Sequence, residues 1–343
     1  MRQNTGFHMY VSYQDDDTVS IYRVDRRSGD VALQEEVTMA GGPGPMALSP
    51  DGQVLHIGLR GGQQLSSYRV DQSTGGLSHI RAVPLQGEPV YVSTDRTGRF
   101  VLSAYYYQST AAVHAVASDG AATVPPVEWR MTAHGAHAIQ TDRSNRFAFV
   151  PHIANRGPNA IFQFQFDEGT GRLTPSAPDR HSPTEYLGPR AFVFHPTLST
   201  VYFSDEQNGS VTGYTLDPSA GTLTPFQTIS TLPAGYNEPN TCSQIHMAPS
   251  GKFLYAPNRG HNSVASFTVD AVSGRLTATG RVPTEPVPRA FNLDPSGNFL
   301  FVGGLDSGRL AAYRIAQDTG ELTPLETYEG GNRPMWVLLT DLS

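Results

Sequence analysis

Short runs of alternating apolar and polar residues, each ending in a turn, recur along the whole chain. The first recurring phrase is a strand, a cluster of Asp, Ser, Thr and Gly, and a second short strand, which is typical of a β-hairpin. Its seven copies, of which the third is degenerate, begin at Tyr22, Tyr68, Ala115, Phe164, Tyr214, Phe267 and Tyr313. Their turn glycines are Gly29, Gly75, Gly120, Gly171, Gly221, Gly274 and Gly320. The pattern therefore repeats about every 50 residues.

A second hairpin phrase alternates with the first. It reads LSPDGQVLHIGLR from Leu48 and MAPSGKFLYAPNR from Met247, with further copies at Thr94, Thr141, Phe194 and Leu293. Two hairpins per repeat give four strands per unit, which is the makeup of a β-propeller blade. Helical repeats such as ankyrin and tetratricopeptide units are shorter, and no stretch of this chain has a convincing helical period.

The two ends of the chain supply the copy of the second phrase that is otherwise missing. The segment from Arg333 resembles an innermost strand such as the one at Pro288, and the segment from Phe7 resembles the strand that follows it. We therefore predict an all-β fold, a seven-bladed β-propeller of four-stranded antiparallel blades in one domain, residues 1–343. Its N- and C-terminal strands should share one blade and close the ring.

The composition of the chain argues against some classes of binding partner and favours one cellular compartment. The formal net charge is −7 and no run of Lys or Arg occurs, which argues against nucleic acid or an anionic membrane as a partner. Cys242 is the single cysteine, so no internal disulfide can form. The first ten residues lack the features of a signal peptide, and no apolar run reaches membrane-helix length. We expect a cytoplasmic protein, monomeric or homodimeric.

Comparison of the repeats identifies candidate functional residues. Where a position is charged in a few blades but uncharged in the others, the scaffold does not require the charge. The position just before the innermost strand is occupied by Gly44, Val90, His137, Arg190, Ser243 and Arg289. The position just after the next strand is occupied by Arg60, Tyr106, Ile153, Glu206, Arg259 and Leu305, to which the N-terminal copy adds Tyr13. Both positions lie at the same end of an antiparallel hairpin, so they should surround one mouth of the central channel.

The ring of residues at this mouth has the composition of an anion-binding site with acid–base groups. Guanidinium groups pair with two oxygens of a carboxylate or phosphate, and an imidazole gives or takes a proton near neutral pH. A carboxylate among arginines stays ionised and could act as a base or a positioning group, although a purely structural ion pair is the alternative. The candidates are Arg60, Tyr106, His137, Arg190, Glu206, Arg259 and Arg289.

Other chemically suggestive residues are weaker candidates. The acidic run Asp15–Asp17 offers too few ligands for a cation, and Cys242 has no evident base partner. No metal or organic cofactor is expected. Four further histidines lack the spacing of a metal site: His134, His152, His246 and His261.

Six recurring segments together resemble a known family. They are PMALSPDG at Pro45, GPRAFVFHP at Gly188, DEQNGSV at Asp205, YAPNR at Tyr255, VPRAFNLDPSG at Val287 and RPMWV at Arg333. Over residues 10–339 the chain is similar to bacterial 6-phosphogluconolactonases of the seven-bladed propeller type and to the related fungal carboxy-muconate cyclases. The resemblance implies catalytic roles for His137, Arg190, Glu206 and Arg259. It implies substrate-binding roles for Arg60, Tyr106 and Arg289.

The leading hypothesis is therefore a metal-independent lactonase, a carboxylic ester hydrolase that opens 6-phosphogluconolactone to 6-phosphogluconate in the pentose phosphate pathway. Arg190 and Arg259 would hold the anionic group and the developing oxyanion, and either His137 or Glu206 would activate water. A muconate-type cycloisomerase, which would use the same groups to protonate a carbon, is one alternative. A non-catalytic propeller that binds other proteins is the other.

Overall fold

Seven four-stranded antiparallel sheets form a ring in the computed structural model, which describes residues 6–342. The predicted fold class is confirmed. Residues 1–5, which belong to the segment in which we found no signal peptide, lie outside the described residues. No helix of residues 6–342 has the length and apolarity needed to cross a membrane.

The strands are numbered in chain order. Blade 1 contains β1 (Gly6–Tyr13), β2 (Thr18–Asp25), β3 (Val31–Thr38) and the last strand of the chain, β28 (Pro334–Thr340). Blade 2 contains β4 (Pro43–Leu48), β5 (Val54–Leu59), β6 (Gln64–Val70) and β7 (Leu77–Pro84). Blade 3 contains β8 (Tyr91–Thr94), β9 (Phe100–Tyr105), β10 (Thr110–Ala115) and β11 (Glu128–Met131). Blade 4 contains β12 (Gln140–Thr141), β13 (Phe147–Ile153), β14 (Asn159–Phe166) and β15 (Leu173–His181).

The remaining three blades follow the same plan. Blade 5 contains β16 (Pro189–Phe194), β17 (Thr200–Asp205), β18 (Ser210–Leu216) and β19 (Leu223–Ser230). Blade 6 contains β20 (His246–Met247), β21 (Phe253–Asn258), β22 (Ser263–Val269) and β23 (Leu276–Pro283). Blade 7 contains β24 (Pro288–Leu293), β25 (Phe299–Gly304), β26 (Leu310–Ile315) and β27 (Leu322–Tyr328).

Blade 1 closes the ring with strands from both ends of the chain. The order of its strands is β28-β1-β2-β3, and β28 runs antiparallel to β1 with Val337 opposite Val11 and Thr340 opposite His8. The innermost strand β28 also contacts β24 of blade 7 and β4 of blade 2. The predicted closure by the terminal strands is confirmed, and it leaves no open sheet edge between the first and last blades.

The turn of the first recurring phrase shows why its sequence is so regular. Gly75 donates its N–H to the carbonyl of Asp71 at 2.8 Å, and the Asp71 side chain accepts the N–H groups of Ser73 and Thr74 at 2.8 and 2.9 Å. The seven turn glycines all have positive φ, from 68° to 91°. At Gly221 a Cβ atom would also lie 2.0 Å from the Phe147 ring of the preceding blade. Glycine is therefore required there by both conformation and packing.

The core is divided among the interfaces between blades. Buried apolar side chains of residues 6–342 form seven clusters, and each joins two neighbouring blades. In one of them Phe100 of blade 3 packs edge-on against Phe166 of blade 4, with ring centroids 5.9 Å apart. Because packing uses the faces of the sheets, the strand ends at the mouths of the channel are free to carry other side chains.

Candidate active site

A cavity opens at the channel mouth where the innermost strands begin. Pairing of Pro189 with Asp205 in blade 5 brings the two predicted positions together, so that Arg190 lies beside Glu206. Four of the seven predicted site residues line the cavity: Arg60, His137, Arg190 and Arg289. The other lining residues are Pro45, Val90, Tyr91, Ala191, Gln244, Met335 and Trp336.

Glu206 lies between two arginines at the side of this cavity. Its Oε2 atom is 2.7 Å from Arg190 Nε and 2.9 Å from Arg259 Nη2. Both nitrogens approach off the N–H axis, so these contacts are ion pairs and not aligned hydrogen bonds. Arg259 Nη2 instead donates to the carbonyl of Cys242 at 2.8 Å. One carboxylate thus faces the buried guanidinium group of Arg190 and the partly buried one of Arg259. Burial lowers the pKa of Arg190 to about 10, and the Arg259 charge adds to the effect.

Arg60 enters the cavity from blade 2 and already has a counterion. It forms an ion pair with Glu88, and its Nη1 donates to Gln14 Oε1 at 3.3 Å. The Arg60 side chain is 15% exposed and that of Glu88 is 28% exposed, so water reaches this pair more easily than the pairs at Glu206.

Arg289 has no counterion and no hydrogen-bond partner among residues 6–342, although it lines the cavity. Burial holds the pKa of Arg289 well below its ordinary value, and the charges of Arg190, Arg259 and Arg60 lower it further. Four guanidinium groups face two carboxylates at this mouth, which leaves two positive charges uncompensated. A bound anion would relieve this repulsion.

The His137 ring makes no hydrogen bond to another residue in the described part of the chain, and it lines the cavity. Burial holds the pKa of His137 well below its ordinary value of 6.5, and the guanidinium groups of Arg190, Arg289 and Arg259 act in the same direction. The imidazole is therefore neutral at pH 7 and has a nitrogen available to accept a proton.

Tyr106 lies beside the cavity rather than in its wall. Its hydroxyl donates to the carbonyl of Asn155 at 3.2 Å, and its ring centroid is 4.7 Å from that of His134 and 6.4 Å from that of His137. Of the predicted ring, then, Glu206 contacts the cavity-lining Arg190, Arg259 contacts Glu206, and the Tyr106 ring lies near that of His137.

Comparison with known proteins identifies the family to which this chain belongs. The model of the family described as "Lactonase, 7-bladed beta-propeller" matches residues 13–339. The chain belongs to this family of seven-bladed propeller lactonases. The resemblance predicted from the recurring segments is thereby confirmed.

Relatives of this lactonase-family chain match it over nearly their whole length. A 6-phosphogluconolactonase of Pectobacterium carotovorum is 32% identical over 330 residues, covering 96% of this chain and 97% of the relative. A 6-phosphogluconolactonase of Serratia proteamaculans is 32% identical over 329 residues, covering 96% and 97%. The solved structure of the periplasmic gluconolactonase of Pseudomonas aeruginosa has a TM-score of 0.90 at 23% identity, covering 98% of this chain and 100% of that one. At that identity the structural likeness concerns the fold.

Sequence reasoning missed part of the cavity wall of this lactonase-family propeller. Tyr91, Gln244 and Trp336 line the cavity one residue further along the innermost strand than the position compared in the repeats. The Tyr91 and Trp336 rings meet edge-on with centroids 5.3 Å apart. Comparing this next position across the blades would have found them, because it holds small residues in several other blades.

The weaker candidates have structural contacts. His152 Nε2 lies 3.1 Å from Thr132 Oγ1, and His246 packs edge-on against Phe291 with centroids 4.8 Å apart. Asp17 Oδ1 accepts the N–H groups of Gly41 and Gly42 at 3.0 and 2.7 Å, so that part of the acidic run shapes a turn. Within residues 6–342 no three His, Cys, Asp or Glu side chains are grouped as metal ligands.

Proposed function

We propose that this chain hydrolyses a small phosphorylated sugar lactone, with 6-phosphogluconolactone as substrate and 6-phosphogluconate as product. The observation that carries the proposal is the pair of uncompensated guanidinium charges at the cavity, which matches a phosphate dianion. The names of the relatives, which are 32% identical, point to the same substrate. A neutral lactone would leave the repulsion among Arg60, Arg190 and Arg289 unrelieved.

The proposed reaction uses His137 as the base. Its neutral imidazole takes a proton from water as the water oxygen attacks the lactone carbonyl carbon. The guanidinium group of Arg190 stabilises the oxyanion that forms, while Arg289 is left to hold the phosphate. The bond from the carbonyl carbon to the ring oxygen then breaks, and the imidazolium returns its proton to that oxygen to give a hydroxyl group. The carboxylic acid product loses its own proton to solvent.

We assign Glu206 a positioning role in this scheme. Its carboxylate is engaged by Arg190 and Arg259, which holds both guanidinium groups in place, whereas the imidazole of His137 is not engaged by another side chain of residues 6–342. Because arginines supply the positive charge at the cavity, we also propose that the reaction needs no metal ion. A phosphorylated substrate and an unpaired cysteine fit a cytoplasmic location.

Acid release from freshly generated 6-phosphogluconolactone and from glucono-δ-lactone tests the substrate. We expect kcat/KM to be about 10²–10⁴-fold higher for the phosphorylated lactone, since two charge-assisted contacts are each worth about 1.5–3 kcal/mol. Activity should survive dialysis against a chelator. Equal kcat/KM for the two lactones would overturn the phosphate assignment. If neither lactone is opened faster than it opens spontaneously, the lactonase proposal fails and muconates become the next substrates to test.

Two arginine variants locate the phosphate within the cavity. Arg289→Gln should reduce the preference for the phosphorylated lactone more than Arg60→Gln, because Arg289 forms no ion pair within residues 6–342 and Arg60 already has Glu88. A larger effect from Arg60→Gln would place the phosphate at the blade 2 side of the mouth.

The pH dependence of kcat/KM tests the role of His137. The pKa of this residue is lowered in the folded protein, so the neutral, basic form persists as the pH falls below 6.5. We therefore expect the acid limb of the profile to lie below pH 6.5 for glucono-δ-lactone, a substrate without a titrating phosphate. A limb near pH 6 found only with the phosphorylated lactone belongs to the phosphate. A limb at or above 6.5 with both lactones contradicts this role.

A further inference from the structure

Gln244 differs in chemical type from the residues at the same position in the other blades. This position comes one residue after the position, just before the innermost strand, that holds His137, Arg190 and Arg289. In the other blades this position is occupied by Pro45, Tyr91, Ala138, Ala191, Ala290 and Trp336. A propeller blade can therefore be built with an apolar or aromatic residue here, and the scaffold does not require an amide. The polar side chain of Gln244 lies in the same cavity as His137, Arg190 and Arg289.

The orientation of the Gln244 amide is set by its neighbour in blade 7. Gln244 is only 6% exposed, and its Oε1 accepts the backbone N–H of Phe291 at 3.0 Å. A backbone N–H can only donate, so the oxygen must face Phe291 and the amide nitrogen must point the other way. Among residues 6–342 no group accepts a hydrogen bond from this nitrogen.

Two other glutamines show how the fold satisfies an amide that is held in the same way. Gln163 Oε1 accepts the N–H of Leu223 in the next blade at 2.7 Å, and its nitrogen donates to the carbonyl of Pro178 at 3.0 Å. Gln227 accepts the N–H and donates to the carbonyl of Leu276, at 2.7 and 2.8 Å. In both of these glutamines, which bridge to the next blade as Gln244 does, the two ends of the amide are used. The nitrogen of Gln244 differs from them, because it has no acceptor among residues 6–342 and its side chain lines the cavity.

The chemistry of the cavity indicates which substrate atom this nitrogen meets. Anionic oxygens bind more strongly to the guanidinium groups of Arg190 and Arg289 than to an amide, because guanidinium groups form charge-assisted hydrogen bonds. A neutral amide donor is matched to a neutral acceptor, and a sugar lactone offers hydroxyl oxygens. On the basis of the lactonase function proposed above, we propose that Gln244 donates a hydrogen bond to a substrate hydroxyl and thereby selects hydroxylated lactones over plain ones.

The test compares two neutral lactones, so that phosphate does not enter. Gln244→Ala should raise KM for glucono-δ-lactone about 10-fold with kcat nearly unchanged, because a hydrogen bond to a hydroxyl forms equally in the ground state and the transition state. For δ-valerolactone, which has no hydroxyl group, both constants should stay unchanged. An equal loss on the two lactones, or a fall in kcat with KM intact, would overturn the proposal.

Two further variants separate this contact from a loss of structure. Gln244→Glu keeps an oxygen for the Phe291 N–H but offers no donor to the cavity, and it should also weaken selection for the hydroxylated lactone. Gln163→Ala removes a glutamine held in the same way in blade 4, with both ends used, and it should lower thermal stability while leaving KM unchanged.

Failure of the Gln244 contact and failure of the proposed lactonase function give different results. If the wild-type protein opens no lactone, the proposed function fails, and binding of 6-phosphogluconate by titration calorimetry then tests Gln244 alone. A dissociation constant that is about 10-fold higher in Gln244→Ala than in wild type supports the contact. Equal dissociation constants refute it.

Discussion

Replacing His137 with alanine should lower kcat for 6-phosphogluconolactone by about 10²–10⁴-fold, the usual contribution of a positioned acid–base group. The ring makes no hydrogen bond to another residue within residues 6–342, so its removal should change stability less than it changes activity. Acid release at saturating substrate measures kcat, and thermal unfolding of the same preparation shows whether the variant is folded.

His134 provides the matched control for this experiment. Its ring also packs against Tyr106, with centroids 4.7 Å apart, and it does not line the cavity. His134→Ala should keep kcat within about 10-fold of wild type, below the range for an acid–base group. Similar losses in both variants would mean that the histidines act through the packing of Tyr106, and His137 would lose its role as the base.

Replacing Glu206 with glutamine should lower the free energy of unfolding by about 3–5 kcal/mol, because it leaves the buried guanidinium group of Arg190 and the partly buried one of Arg259 without their shared counterion. The side chains of Arg190 and Glu206 are only 4% and 11% exposed, so water can do little to compensate. Urea unfolding of wild type and variant measures the difference. Inorganic phosphate should restore more stability to the variant than to wild type, since a bound anion replaces the missing carboxylate.

Glu88→Gln is the corresponding change in the other arginine–carboxylate pair at the mouth. Glu88 and its partner Arg60 are 28% and 15% exposed, and Arg60 keeps its hydrogen bond to Gln14. The loss of stability should be at most about 1 kcal/mol, as for accessible ion pairs. If the two variants were equally destabilised, the arrangement around Glu206 would be an ordinary surface ion pair.

The fold of this protein could be predicted from the sequence because each blade repeats the same pattern of strands and turns. An Asp followed four residues later by Gly makes the same capped turn at Asp71 and Gly75 as at Asp217 and Gly221. Even the degenerate copy at Ala115 keeps its turn glycine. The closure by β28 could be predicted because residues 334–340 continue the pattern of an innermost strand, with Met335 and Val337 buried.

The candidate site could be predicted only in part. Repeat comparison identifies Arg60, Arg190 and Arg289 because a charge at these positions departs from the other blades. It does not reveal that Glu88 neutralises Arg60, since Glu88 lies in a connection between strands of blades 2 and 3, where the repeats do not align. Nor does it give the direction of a side chain, and Tyr106 faces Asn155 and His134 rather than the cavity.

The closing strand has a consequence for the synthesis of the protein. Met335 and Trp336 of β28 form part of the cavity wall, and they belong to a strand that pairs with β1 from the opposite end of the chain. On the ribosome, blades 2 to 6 can form while β28 is still in the exit tunnel, but the cavity then lacks one side. A nascent chain should therefore acquire activity only when its last strand emerges, long after the arginines and His137 have been translated.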